Sequence, residues 1–250
     1  MANQKKRLDL LLLEKGLVDS RQRARALIMA GKVLVDTQRI DKPGTTIYPD
    51  AVISVKNDDI EYVSRGGLKL KAALDKLDLP VKDLVCLDVG ASTGGFTDCL
   101  LKHGARRVYA VDVGYGQLAW SLRQDPRVEA IERTNIRHMP AERIPEPVDL
   151  VTIDASFISL KIVVPAIKKF LKPSGRVLAL IKPQFEVGKG QVGKGGVVKD
   201  AGQHTRVIAE LTDFFEQLGF TSGTVVPSPI LGPKGNQEFI ILLRMDISVE

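Results

Sequence analysis

Apolar positions recur at helical spacing from Leu8 to Leu17, and Gly16 falls where such a helix would stop. A second helix is predicted directly after it: Ser20 is placed to cap it, Arg21 to Met29 form its body, and Gly31 stands where a left-handed residue closes a helix. Beyond Gly31 the pattern shortens. Val33 to Val35 and Val52 to Val55 carry the β-branched bias of strands, on either side of a turn-rich stretch around Lys42, Pro43 and Gly44. Residues 1–60 thus read as a small α+β module with a short linker, the polar, charged stretch that begins at Lys56 and runs to Glu61.

From residue 61 the pattern changes. A helix is predicted from Leu68 to Leu77, and strands then alternate with helices, the signature of a parallel sheet covered on both faces. The strands read as Leu84 to Val89, Arg107 to Val113, Val128 to Ile131, Leu150 to Ile153, Val177 to Ile181, Thr221 to Val226 and Glu238 to Leu243. Helices are expected at Phe96 to Lys102, Lys161 to Leu171 and Gln203 to Leu218. Between the last two strands lies only a Pro- and Gly-rich loop, Pro227 to Gly235, so the final strand is expected to run antiparallel. The fold class is α/β: a Rossmann-like methyltransferase sheet of about seven strands over residues 61–250, behind the small first module.

Composition narrows the class. With 44% hydrophobic and 26% charged residues, a chain of 250 has enough apolar side chains for one large or two modest cores, which argues against disorder. The net charge of +6 and a pI near 9.3 lean towards a polyanionic partner. No apolar run approaches the roughly 18 residues of a membrane span, and the start MANQKKRLDLLLLEKG has too short an apolar tract for a secretory leader. A cytoplasmic protein with no membrane association is expected, a monomer favoured over an oligomer that the sequence leaves open. Cys86 and Cys99 lack the spacing of a disulfide framework or a metal pair, and His103, His138 and His204 are not spaced as ligands.

Ligands of an open α/β sheet bind beyond the carboxyl ends of its strands, and the unusual residues fall there. The first strand of the second region carries Asp88 and runs into Gly90, Ala91, Ser92, Thr93, Gly94, Gly95 and Phe96, where glycines admit close approach of a ligand. The spacing is not that of a dinucleotide fingerprint, and a plain strand-to-helix turn is the alternative. Asp112 ends the next strand, where a carboxylate would accept hydrogen bonds from ribose hydroxyls unless it is merely solvated. Asp154 ends the fourth strand, Lys182 the fifth, and Glu238 opens the last, so acid, base and acid converge on one edge. Lys69, in the preceding helix, would join them if that helix packs beside the cleft.

A methyl group on a sulfonium is already activated. Its transfer to a hydroxyl needs in-line positioning and removal of one proton, with no metal required. Lysine accepts that proton only when neutral, and crowding of two lysines favours the neutral form of one. Lys182 is therefore assigned as base or hydroxyl-orienting group, held by Asp154 and assisted by Lys69 and Glu238.

The strings YVSRGGLKL (Tyr62 to Leu70), DVGASTGGFTDCLL (Asp88 to Leu101), VDVGYGQLAWSLRQDPRV (Val111 to Val128), ERTNIR (Glu132 to Arg137), DASFISL (Asp154 to Leu160) and KPQFEVGKGQVGKGGVV (Lys182 to Val198) together resemble the TlyA family over nearly the whole chain. The resemblance implies a ribosomal RNA 2′-O-methyltransferase of a family also labelled haemolysins, with an FtsJ-like catalytic domain. It further implies S-adenosylmethionine as cofactor and cytidine ribose 2′-hydroxyls as target. Its Lys-Asp-Lys-Glu pattern matches Lys69, Asp154, Lys182 and Glu238, and Asn135 of ERTNIR joins the cofactor-binding residues. The first module resembles the alpha-L RNA-binding motif. Arg7, Arg21, Arg23, Lys32 and Lys42 there, with Arg65 of YVSRGG, are expected to contact phosphates of ribosomal RNA or ribosomal subunits, although such charges also serve simply as a solvated face. Few aromatics accompany them, which favours a folded RNA surface over splayed bases.

Gly188 to Lys194 imitates the start of a phosphate-binding loop, but Gly195 stands where Mg²⁺ chemistry needs Ser or Thr. The segment is expected instead to form a mobile loop beside Lys182. Three rival classes make different demands: a cytolysin needs a leader or membrane-active segment, a non-catalytic assembly factor needs a broken catalytic set, and a pseudouridine synthase needs a different fold.

Overall fold

The computed structural model describes residues 4–18, 20–55, 61–188, 190–193 and 195–245. Most of the charged stretch after Val55, residues 56–60, and Lys189 and Lys194 of the glycine-rich segment lie outside the described residues. The chain divides into two compact units, Met1–Ile60 and Glu61–Glu250.

In the first unit, β1 (Lys6–Arg7) leads into α1 (Leu8–Glu14) and α2 (Arg21–Met29). Ser20 caps α2 by accepting from the Arg23 amide at 3.2 Å, and Gly31 closes it with φ +65°. The strands β2 (Val33–Val35), β3 (Gln38–Ile40), β4 (Thr46–Ile47) and β5 (Ile53–Val55) follow. β3 and β5 flank β2 antiparallel, while β4 pairs with β1. Leu8, Leu12, Ala24, Ile28 and Val33 form the core under this sheet. The polar β3 escaped the sequence pattern because it is an edge strand; Asp36 and Thr37, both at positive φ, make the two-residue hairpin that joins it to β2. The first helix also stops at Glu14, short of the expected Leu17.

The second unit opens with α3 (Gly66–Lys76), followed by β6 (Val85–Val89), α4 (Gly95–Lys102), β7 (Arg107–Val111), α5 (Trp120–Arg123), β8 (Val128–Ile131) and β9 (Val148–Ile153). Next come α6 (Leu160–Ile167), β10 (Leu171–Ile181), α7 (Pro183–Glu186), α8 (Ala201–Gln217), β11 (Phe220–Pro227) and β12 (Phe239–Met245). The seven strands lie in the order β11-β12-β10-β9-β6-β7-β8, and β12 runs antiparallel to both its neighbours, as its short connection predicts. Side chains alternate between two cores. Leu87, Val151, Ala179 and Ile241 face α6 and α8; Cys86, Leu150, Leu178 and Leu242 face α3 and α4.

Three boundaries differ from the sequence pattern in ways that matter for the site. The helix expected to reach Leu171 ends at Ile167 and gives way to a 3₁₀ turn, Lys168–Phe170, and then to β10. Pro173 keeps Lys172 out of helical geometry, so the chain is extended from there on. β7 stops at Val111, which frees Asp112 to turn out of the sheet. β12 starts at Phe239, so Glu238 stands just before the strand.

Candidate active site

Beyond the carboxyl ends of the parallel strands lies a cleft of about 510 Å³. Its walls are the start of α3 with Ser64 and Arg65, the turn Gly90 to Thr93, the ends of β9 and β10, and the loop 230–234. Two glycines explain how these elements come so close. Gly90 sits at φ +83°, and a methyl group there would press on the Asp154 carbonyl oxygen at 2.9 Å, so the turn packs directly against the end of β9. At Gly95 a side chain would run into Ser64 and the Gly67 amide of α3. The contact between α3 and α4 therefore depends on that glycine, and it brings Lys69 to the cleft.

Both lysines are almost fully buried, and each has its own carboxylate. Lys69 Nζ lies 2.5 Å from Glu238 Oε2, and Lys182 Nζ lies 2.6 Å from Asp154 Oδ1. The two lysines line the same cleft, Lys182 paired with Asp154 as expected and Lys69 paired with Glu238. Lys182 also donates to Ser156 Oγ at 2.8 Å, a partner that the strand-end pattern had not singled out. Glu238 is wholly enclosed; its Oε1 accepts no hydrogen bond among the described residues and packs on the α-carbon of Gly232.

Of the residues expected to bind cofactor, Gly90, Ala91, Ser92, Thr93, Gly95 and Phe96 line the cleft. Gly94 does not; at φ +95° it forms the left-handed cap of α4. Asp88 is corrected to a buried clamp. Its carboxylate is fully enclosed and accepts from Thr97 Oγ1 at 2.7 Å and Thr152 Oγ1 at 3.0 Å, which ties α4 and β9 to β6. Burial pushes its carboxyl up to about 7, against the pull of those two hydroxyls. Asp112 accepts from the amides of Ser92 at 2.8 Å and Gly114 at 2.7 Å and is half-buried beside the turn, with acceptor positions to spare. Asn135 caps the 3₁₀ turn Ile136–His138 and does not reach the cleft.

The residues expected to bind RNA fall into different roles. Arg65 lines the cleft itself. Arg7 and Arg21, half-exposed, converge instead on the buried Asp9 at 2.9 and 3.0 Å. The Arg7 fork holds the Asp9 carboxyl down to about 2, against burial. Arg23 and Lys42 are exposed, and Lys32 is half-buried.

The glycine-rich stretch is tied down at its end, residues 196–198. The Asn236 side chain accepts from the Val198 amide and donates to the Gly196 carbonyl, each at 3.0 Å, and so staples this segment to the loop that walls the cleft. His103 and His204 bond to carbonyl oxygens at 2.8 and 2.9 Å, and Cys86 and Cys99 are buried and free.

The model of the FtsJ-like methyltransferase family matches residues 62–245. The chain belongs to that family. An S4 domain model matches residues 6–53, the first unit. Among the similar FtsJ-like proteins is the 16S/23S rRNA (cytidine-2′-O)-methyltransferase TlyA of Mycobacterium tuberculosis, 48% identical over 95% of this chain and 89% of that protein. The provisionally named rRNA methyltransferase YqxC of Bacillus subtilis is 47% identical over 98% of this chain and 87% of its own length. A solved structure from Streptococcus thermophilus, provisionally named a hemolysin, superposes with a TM-score of 0.76 at 43% identity over 98% of this chain and 90% of that one. The resemblance to the TlyA family and the expected fold class therefore hold. No helix among the described residues is long and apolar enough to cross a membrane.

Proposed function

We propose that this chain transfers the methyl group of S-adenosylmethionine to the 2′-hydroxyl of a cytidine ribose in ribosomal RNA. One observation carries the reading: the glycine turn and the Lys182–Asp154–Ser156 group open on the same cleft, with the Lys69–Glu238 pair beside them. The names of the TlyA relatives support the substrate. The turn fits the cofactor, because the backbone of Gly90 to Thr93 lines the cleft and Asp112, bonded to the Ser92 amide, keeps acceptor positions for a nucleoside's hydroxyls. The bound cofactor supplies a methyl group already activated by a sulfonium.

Lys182, fixed by Asp154 and Ser156, orients the ribose hydroxyl and in its neutral form takes the proton as the new C–O bond forms. Lys69, held by Glu238, places a second donor across the cleft to fix the ribose. Residues 1–60 hold the RNA, through Arg23, Lys42 and the exposed flanks of Arg7 and Arg21, while residues 61–250 carry the chemistry. On this reading the protein works in the cytoplasm on ribosomal subunits.

The test is transfer of labelled methyl to small and large subunits that lack the modification. Label at a ribose 2′-oxygen that disappears with Lys182→Ala is the expected result. Cofactor binding without label on either subunit would overturn the assigned substrate, and no cofactor binding would overturn the reaction.

A further inference from the structure

Glu186 sits four residues beyond Lys182, in α7, outside the cleft lining. It accepts from Ser159 Oγ at 2.6 Å and from the Leu160 amide at 2.8 Å, so both of its oxygens are engaged at the start of α6. Asp154, Ser156 and Phe157 lie on the segment between β9 and that helix start. The ends of β9 and β10 are therefore joined three times: by the Lys182–Asp154 ion pair, by the Phe157 and Phe185 rings with centroids 5.0 Å apart, and by Glu186. Phe157 is held at φ +63° although 89% of it is exposed. A phenylalanine keeps that backbone only where its surroundings over-determine it, and burial of its own ring is not what does so here.

We propose that Glu186 is a positioning residue for methyl transfer: it clamps the 154–160 segment to the end of β10 and so keeps Asp154 and Ser156 on the Lys182 ammonium. The inference rests on the function proposed above. It goes beyond a plain helix cap, because α6 already has a capping hydroxyl in Ser159, which accepts from the Lys161 amide at 3.1 Å. Burial raises the Glu186 carboxyl above the ordinary range against its hydroxyl and amide partners, and Lys161 is the charged group that opposes the rise. The clamp survives protonation, since the Ser159 hydroxyl turns from donor to acceptor. For the same reason glutamine, which offers one acceptor and one donor, preserves both bonds.

Three variants of the full chain test it, assayed for single-turnover methyl transfer, cofactor affinity and amide exchange at Leu160. Glu186→Ala is expected to slow transfer roughly 10- to 100-fold, the scale of a misplacement near 1 Å, with cofactor affinity unchanged and Leu160 exchanging faster. Glu186→Gln is expected to keep the wild-type rate, and Ser159→Ala to fall between the two. A wild-type rate in Glu186→Ala, a glutamine variant as slow as alanine, or parallel loss of rate and cofactor affinity would overturn the proposal. If Glu186→Ala does not fold, an unchanged rate in Ser159→Ala does so. Should the wild type label no ribosomal RNA, the functional reading fails, yet Leu160 exchange still decides the clamp: equal protection in wild type and Glu186→Ala would remove it.

Discussion

Lys69 and Glu238 stand 169 residues apart in the chain, and their side chains meet in a buried ion pair of 2.5 Å. Charges withdrawn from water are tolerable only together, so loss of one strands the other. Lys69→Met is expected to destabilise the protein by about 3–5 kcal/mol, while the double variant Lys69→Met/Glu238→Met regains much of that loss without regaining activity. Denaturant unfolding of wild type, both single variants and the double variant measures the coupling. Purely additive losses would show that the two charges act independently.

Lys182→Arg separates charge from proton acceptance. Arginine keeps the positive charge opposite Asp154 but stays protonated at any working pH. Methyl transfer is expected to fall about 10²- to 10⁴-fold with cofactor affinity unchanged, as read by single-turnover assay and calorimetry. An arginine variant of undiminished rate would leave Lys182 with an orienting role alone.

The buried Asp88 makes the protein less stable as pH rises. Its carboxyl, ordinarily near 3.8, is pushed up to about 7 by burial in the fold. The folded state thus holds the proton more tightly. The stabilisation is complete below the ordinary value and is lost as pH climbs through the folded one, by roughly 4 kcal/mol in all. Urea midpoints of wild type should decline between about pH 4 and pH 7 more steeply than those of Asp88→Asn. Parallel curves would contradict the assignment.

Asp9 carries the opposite sign. Its carboxyl is held down to about 2, first by the Arg7 fork. The stabilisation, about 2 kcal/mol, is present above the ordinary carboxyl value and is lost as pH falls through the folded one. Protection factors in α1, taken against the intrinsic exchange rate at each pH, are expected to fall on acidification of wild type, and to be low already at neutral pH in Asp9→Asn. Equal protection in the two proteins at neutral pH would show that the arginines contribute nothing.

Periodicity located the strands because each one alternates between two apolar cores, and it located Asp154, Lys182 and Glu238 because strand ends are where a run of alternation stops. Lys69 was reached only conditionally. Its arrival depends on Gly95 letting α3 and α4 pack closely, which no local pattern encodes. Ser156 and the 230–234 wall lie on irregular segments, where neither period applies. Asp88 looked like a ligand residue for its place at a strand end, yet Thr97 and Thr152 enclose it; both hydroxyls sit on other elements. Arg7 and Arg21 looked like free cations because Asp9, on an otherwise apolar helix face, gave no sign of being their shared partner.

The position of β12 between β10 and β11 imposes an order of assembly. The glycine turn is built by β6, α4 and β7, neighbours in sequence that close over short loops and so form early. Glu238 arrives only when the last strand of the sheet inserts between two others. A molecule caught before that event has a formed cradle for a nucleoside and no counter-ion for Lys69. Refolding should therefore recover cofactor binding before it recovers catalysis, and the interval between the two recoveries is a clock for the insertion of one strand.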